Sequence, residues 1–191
     1  MHKISIVSRG SALGITWFLP EEERYTTSKQ KFLDEICGLL GGRAAEEIIF
    51  GDITTGASND IERASLIARN MATRFGMGAE LGLVTYGEQR GSASLGVDLG
   101  AARNYSEQTA HQIDEFVRAI IAEQYERAKG YITKFKEKLE QLHAILLKKE
   151  TMTVEEFIEI FEGKKSAEKA LEEVEEEEAK RLKEAEEEGR E

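Results

Sequence analysis

Apolar residues recur along most of this chain at the three-and-four spacing of a helix face, and only near the start do they alternate. Lys3-Ile4-Ser5-Ile6-Val7 alternates and is rich in β-branched side chains, which predicts a strand. Gly14–Leu19 predicts a second strand with Ile15, Trp17 and Leu19 on one face, and Ser8–Ser11 supplies the turn of a hairpin. Pro20, the only proline, lacks an amide donor and ends the pairing. Two strands alone are marginal, so the hairpin needs a third strand or a helix beneath it. Thr27 and Gln30 have the spacing of a capping box, opening a helix that buries Phe32, Ile36, Leu39 and Leu40. Gly41-Gly42 interrupts it, as a kink, a close backbone approach or a plain break between two helices. Arg43–Phe50 then resumes as a helix that Gly51 can end.

Ile61, Ala64, Ile67, Ala68 and Met71 line one face of a further helix, which Arg74–Gly78 closes. Leu83–Tyr86 is predicted as a short strand, and Gly87–Asn104, which has no usable period, as a long loop. From Ser106 the helical period returns with Ile113, Phe116, Val117, Ile120 and Ile121. Gly130 is a candidate break, after which Ile132, Phe135, Leu139, Leu142 and Leu146 form another stripe. The two long helices are expected to pack as an antiparallel pair. Thr153 and Glu156 form a good capping box for a short helix carrying Phe157, Ile160 and Phe161. The fold class is therefore mostly α with a small β-hairpin or sheet.

The character of the chain changes after Gly163. Residues 164–191 hold twelve glutamates against seven Lys and Arg and almost no large apolar side chain. They are expected to form a charged tail, helical or disordered, with residues 1–163 as the folded domain. A chain of 191 residues, 40% hydrophobic, has material for one core plus such an extension. The net charge of −11 argues against nucleic acid as a partner, since phosphate contacts draw on excess Lys and Arg. Cys37 is the only cysteine and reads as a small core residue, which excludes a disulfide framework within one chain. No apolar run reaches the roughly 18 residues of a membrane span, and the N-terminus has no signal-peptide pattern.

Chemistry concentrates in Thr54-Thr55-Gly56-Ala57-Ser58-Asn59-Asp60-Ile61-Glu62-Arg63-Ala64, a small-residue turn ending in an acid that opens a helix. Ser58 or Thr55 is placed to accept from the free amides of the first turn, and Asp60 suits its positive end. On the residues alone, Asp60 reads as a helix-capping acid with its carboxylate held by neighbouring backbone. The histidines His2, His111 and His143 form no His-Glu-x-x-His pair, and no P-loop or Gly-x-Ser-x-Gly elbow is present. Glu46 and Glu47 are adjacent and so point to different sides of their helix. By themselves these residues show no self-sufficient active site.

Several segments, in order, resemble one family. They are Arg9-Gly10-Ser11-Ala12-Leu13-Gly14, Gly41-Gly42-Arg43-Ala44-Ala45-Glu46-Glu47-Ile48-Ile49-Phe50-Gly51, Thr55-Gly56-Ala57-Ser58-Asn59-Asp60, Arg69-Asn70-Met71 and Phe75-Gly76-Met77. Over roughly residues 2–162 the chain resembles the peptidase domain of the FtsH family, membrane-anchored ATP-dependent zinc metalloproteases. The resemblance implies a mostly helical metalloprotease domain with a small sheet. It also implies zinc held by two histidines of a His-Glu-x-x-His helix and by an aspartate that matches Asp60. Three protein ligands and a water suit catalytic zinc. Ile15, Thr16, Trp17 and Phe18 match the edge on which an extended protein substrate is expected to lie. Glu47 is implied near the metal, supporting its ligands from behind.

The departure from the family concerns what precedes His2. There the family has the His-Glu-x-x-His helix, and before it the ATP-binding AAA domain and the membrane spans. The chain as given is thus expected to be the C-terminal portion of a peptidase domain, incomplete at its N-terminus. It lacks two zinc ligands and the general base, so zinc binding and proteolysis are not expected of it alone, and it is expected to be soluble. The complete enzyme is implied to be a homo-hexamer at the cytoplasmic face of the membrane, degrading membrane and cytosolic proteins and using ATP only through its AAA domain. The alternative is a non-catalytic assembly or adaptor module derived from the same family.

Overall fold

A computed structural model describes residues 3–7, 15–17, 26–89 and 102–174. The elements run β1 (Lys3–Ser5), β2 (Ile15–Trp17), α1 (Lys29–Leu39), α2 (Gly41–Phe50), α3 (Ser58–Thr73), β3 (Glu88–Gln89), β4 (Ala102–Arg103), α4 (Glu107–Lys134), α5 (Lys136–Lys149), β5 (Thr151–Thr153) and α6 (Val154–Phe161). Short 3-10 turns cover Thr55–Ala57 and Ala79–Leu81. A last helix, α7, occupies residues 167–174. The expected class, mostly helical with a small sheet, holds. The chain divides into two compact units, Tyr25–Lys134 and the pair of stretches Met1–Arg24 with Phe135–Glu191.

In the contiguous unit, α4 packs against α1, α2 and α3. Ile36 and Leu40, then Ala44, then Ala64, Ala68, Met71 and Ala72, then Ile113, Val117 and Ile120 make one core. Alanines at Ala64, Ala68 and Ala72 keep the buried face of α3 thin. Phe32 and Leu39, predicted as buried, are only partly so, and Ile61 is 36% exposed at the rim.

Several local expectations need correction. The cap of α1 is Ser28, whose hydroxyl accepts from the Lys31 amide at 3.3 Å, and Gln30 donates to Asp34 instead. At the double glycine the helices part at Leu40, and α2 begins at Gly41. An added side chain at Gly41 or Gly42 would meet nothing within 4 Å, so no backbone approach requires them. Gly51 does end α2, in the left-handed conformation at φ 66° where a side chain would be strained. Leu83–Tyr86 is not a strand. Tyr86 is tied back to the end of α3, its amide donating to the Thr73 carbonyl at 2.8 Å and its hydroxyl to the Leu81 carbonyl at 2.6 Å. Of the loop expected over Gly87–Asn104, residues 90–101 lie outside the described residues, and its two ends pair as β3 and β4, with the Asn104 side chain accepting from the Gly87 amide at 2.8 Å. Gly130 breaks nothing, and α4 runs through it to Lys134.

The composite unit holds a three-stranded antiparallel sheet in the order β2-β1-β5. Lys3, Ile4 and Ser5 face Trp17, Thr16 and Ile15 on one side and Thr153, Met152 and Thr151 on the other. The predicted pairing of the two strands is present, and its required support is β5, which the hydrophobic pattern does not reveal. Glu150 turns the chain from α5 into β5 at φ 60°. The Thr153–Glu156 capping box forms in full. Leu142 and Ile145 of α5, Met152 and Ile160 make this unit's core together with Ala170 of α7. The stripes of α4 and α5 thus fill different cores, not each other. Residues 164–174, grouped by charge with the tail, begin by contributing buried side chains. Ser8–Ser11, Phe18–Pro20 and 175–191 lie outside the described residues.

Candidate functional site

The stretch carrying Asp60 is held by a clamp from α2. Arg43 Nη1 donates to the Thr54 carbonyl at 2.9 Å, and Glu46 Oε2 accepts from the Thr54 amide at 3.2 Å. Glu46 Oε1 accepts from the Thr54 hydroxyl, which in turn accepts from the Gly56 amide at 3.1 Å. Arg43 and Glu46 also pair at 3.6 Å. All the polar groups of Thr54 are therefore engaged. A side chain at Gly56 would come to 3.3 Å of Thr54 Oγ1 and 3.6 Å of Glu46 Oε1, which favours glycine there. The Thr54 hydroxyl and amide, then Arg43, hold the Glu46 carboxyl below its usual range.

The turn Thr55–Ala57 feeds directly into α3, with Asp60 in its first turn as predicted. The predicted caps are not used: Ala57 occupies the cap position without a side-chain bond, and Thr54 does the local capping. Nor is the Asp60 carboxylate held by backbone. Half-buried, it makes no hydrogen bond or ion pair among the described residues. The positive end of α3 favours an anion there. The clamp thus fixes the turn that leads into the helix start carrying Asp60.

Glu47 faces the other way. Its carboxylate takes the Tyr125 hydroxyl and pairs with Lys129 at 3.6 Å, both on α4. These partners, the Tyr125 hydroxyl first, lower its pKa. Glu46, not Glu47, is the carboxylate in contact with the Asp60 segment, and sequence reasoning passed over it. The phase of α2 against the loop decides between the two, and adjacent glutamates do not reveal that phase. His111 and His143 are exposed, His111 beside Glu115 at 3.3 Å. Cys37 is buried, and burial pushes its thiol pKa up. Ile15, Thr16 and Trp17 form β2 at the sheet edge, in the composite unit, with Thr16 exposed, and Phe18 is outside the described residues.

Among the described residues no group of three His, Cys, Asp or Glu is arranged to hold a metal ion. Catalytic zinc takes about three protein ligands. No described helix is long and apolar enough to cross a membrane.

The described residues thus form one helical unit with Asp60 in the first turn of α3 and a second unit with a small antiparallel sheet. The family model described as Peptidase family M41 matches residues 1–160, and the chain belongs to that family. It is similar to the ATP-dependent zinc metalloprotease FtsH of Thermotoga maritima, 50% identical over 157 residues, covering 82% of this chain and 26% of that protein. The FtsH proteins of Pseudothermotoga lettingae and Bacillus subtilis are each also 50% identical, over 161 and 157 residues, covering 84% and 82% of this chain and 26% and 25% of theirs. The resemblance seen in the motifs is thereby borne out. The chain spans about a quarter of the length of these curated relatives.

Proposed function

We propose that this chain serves an ATP-dependent zinc metalloendopeptidase by contributing Asp60 as the aspartate ligand of its zinc. The observation that carries the reading is the half-buried, unpartnered Asp60 carboxylate, presented by a clamped turn inside the family match. The two further ligands and the general base come from a His-Glu-x-x-His helix outside these 191 residues. The chain alone is accordingly inactive as a protease and binds no zinc. Its own work is to hold Asp60 in place through Arg43, Glu46 and Thr54, and to offer the open side of β2. There Ile15, Thr16, Trp17 and Phe18 take an extended protein substrate by strand addition. The complete enzyme works as a homo-hexamer at the cytoplasmic face of a membrane, spends ATP in a separate AAA domain, and degrades membrane and cytosolic proteins.

Asp60→Asn in the full-length protein tests this. Zinc content by metal analysis and casein turnover should both fall to background while the melting temperature of this chain stays near wild type, because the carboxylate makes no bond among the described residues. Full zinc occupancy in that variant removes Asp60 from the site. The adaptor alternative leaves the open carboxylate without a role. Zinc uptake by this chain when a His-Glu-x-x-His helix is supplied in trans favours the split-site reading, and no uptake favours the adaptor.

A further inference from the structure

The α7 helix lies beyond the family match. It is a built feature. Gly163, at φ 76°, reverses the chain, and the Lys164 and Lys165 amides both donate to the Glu159 carbonyl, at 2.8 and 3.1 Å. Ser166 then caps α7, its hydroxyl accepting from the Lys169 amide at 3.2 Å. Ala167, Ala170, Leu171 and Val174 fall on one face of α7, and Ala170 and Val174 are only 5% and 6% exposed. Lys165 pairs with Glu173 along its flank.

What this face packs into is the cluster that holds Met152 of β5. Ala170 belongs to the same cluster as Ile145, Met152 and Ile160. Met152, 1% exposed, is the middle residue of β5 and the only residue of that strand in the core. The described part of β1 buries only Ser5, whose hydroxyl lies 3.1 Å from that of Thr151, and the Ile6 amide donates to the Glu150 carbonyl at 2.9 Å. Thus β1 is anchored through β5, β5 through Met152, and Met152 beneath α7. Strands of three residues have little order of their own.

We infer that residues 164–174 are a strap whose docking sets the order of the whole β2-β1-β5 sheet, a conformational control placed beyond the residues the family model matches. Undocking α7 frees Met152, loosens β5, and passes that loosening through β1 to the β2 edge. Weaker peptide docking on β2 then follows, a consequence that rests on the proposed function above.

Amide hydrogen exchange on the full chain tests the strap without reference to peptide or zinc. In Ala170→Asp, a charge is forced against Met152 and Ile160. The amides of residues 167–174 should lose protection, and the β1 and β5 amides, that of Ile6 among them, should exchange at least about tenfold faster, while those of α1 and α3 keep their wild-type rates. Wild-type protection at Ile6 alongside a freed α7 overturns the inference. So does a wild-type chain in which 167–174 exchange as unprotected peptide. If Ala170→Asp also strips protection from α3, Leu171→Ala asks the same question at the half-exposed rim of the contact. Faster exchange at Ile6 then supports the strap, and an unchanged rate with α7 released rejects it. An intact exchange result with no peptide effect would fault the reading of β2, not the strap.

Discussion

The two units are assembled in opposite ways. Tyr25–Lys134 closes on itself from one uninterrupted stretch, with four helices around a core rich in alanine. The other unit must bring Met1–Arg24 together with Phe135–Glu191, and its core is a handful of side chains under a sheet of three-residue strands. The first carries Asp60 and the clamp that presents it; the second carries the β2 edge. A metal ligand needs a fixed position, and a dense helical core provides it. An edge that accepts a strand needs unpaired backbone groups, and β2 is the outer strand of its described sheet. The two tasks proposed for this chain would thus fall on the two kinds of packing that suit them.

The sharpest way to break that comparison is in the denser core. Ile113 is fully buried, and Ile113→Ala should cost about 2–5 kcal/mol by chemical denaturation. Exchange protection should collapse in α1 through α4 and persist at Ile6. Equal loss at Ile6 would mean that the units melt as one block. Next in size is Thr153→Ala, which removes the cap of α6 and the third strand's last side chain, for about 1 kcal/mol. The effect should appear in α6, β5 and β1 and leave α3 untouched. Arg69→Ala deletes a half-exposed pair with Asp114 at 3.0 Å and should cost less than about 1 kcal/mol, less still at high salt.

The smallest effect is a local one of pH. The Glu46 carboxyl is lowered from its ordinary value of 4.5, so its hold on Thr54 is complete above that value and is lost as pH falls through the depressed one. The Thr54 amide, followed by NMR, should keep its hydrogen-bonded shift down through the ordinary glutamate range and lose it only below. Glu46→Gln should abolish that transition. A midpoint at or above 4.5 would contradict the clamp.

Signals confined to a few neighbouring residues were legible. The Thr153–Glu156 box, Gly51 as a helix end and Asp60 in a first turn each depend on a local pattern, and each is present. The stripe at Ala64, Ala68 and Met71 was readable for the same reason. What failed depends on distant partners. Thr151–Thr153 has no strand pattern of its own and becomes β5 because Lys3–Ser5 lies beside it. Gly130 costs about 1 kcal/mol within a helix, yet buried Ala128 and the packing of α4 keep that helix whole. Thr27 and Ser28 are both good caps, and the chain uses the second. The motif singled out Asp60, and its place in the first turn of α3 is the expected one. The choice between Glu46 and Glu47 required the positions of Thr54 and Tyr125.

The pairing of β1 with β5 has a consequence for synthesis. Ile4 leaves the ribosome long before Met152, its partner in register. At roughly 5–20 residues per second the wait is on the order of ten to thirty seconds. During that interval all of Tyr25–Lys134 emerges and can fold, while β1 stays exposed with one ladder unfilled. The nascent chain therefore carries β1 with the ladder to β5 unfilled until Thr151–Thr153 has been made.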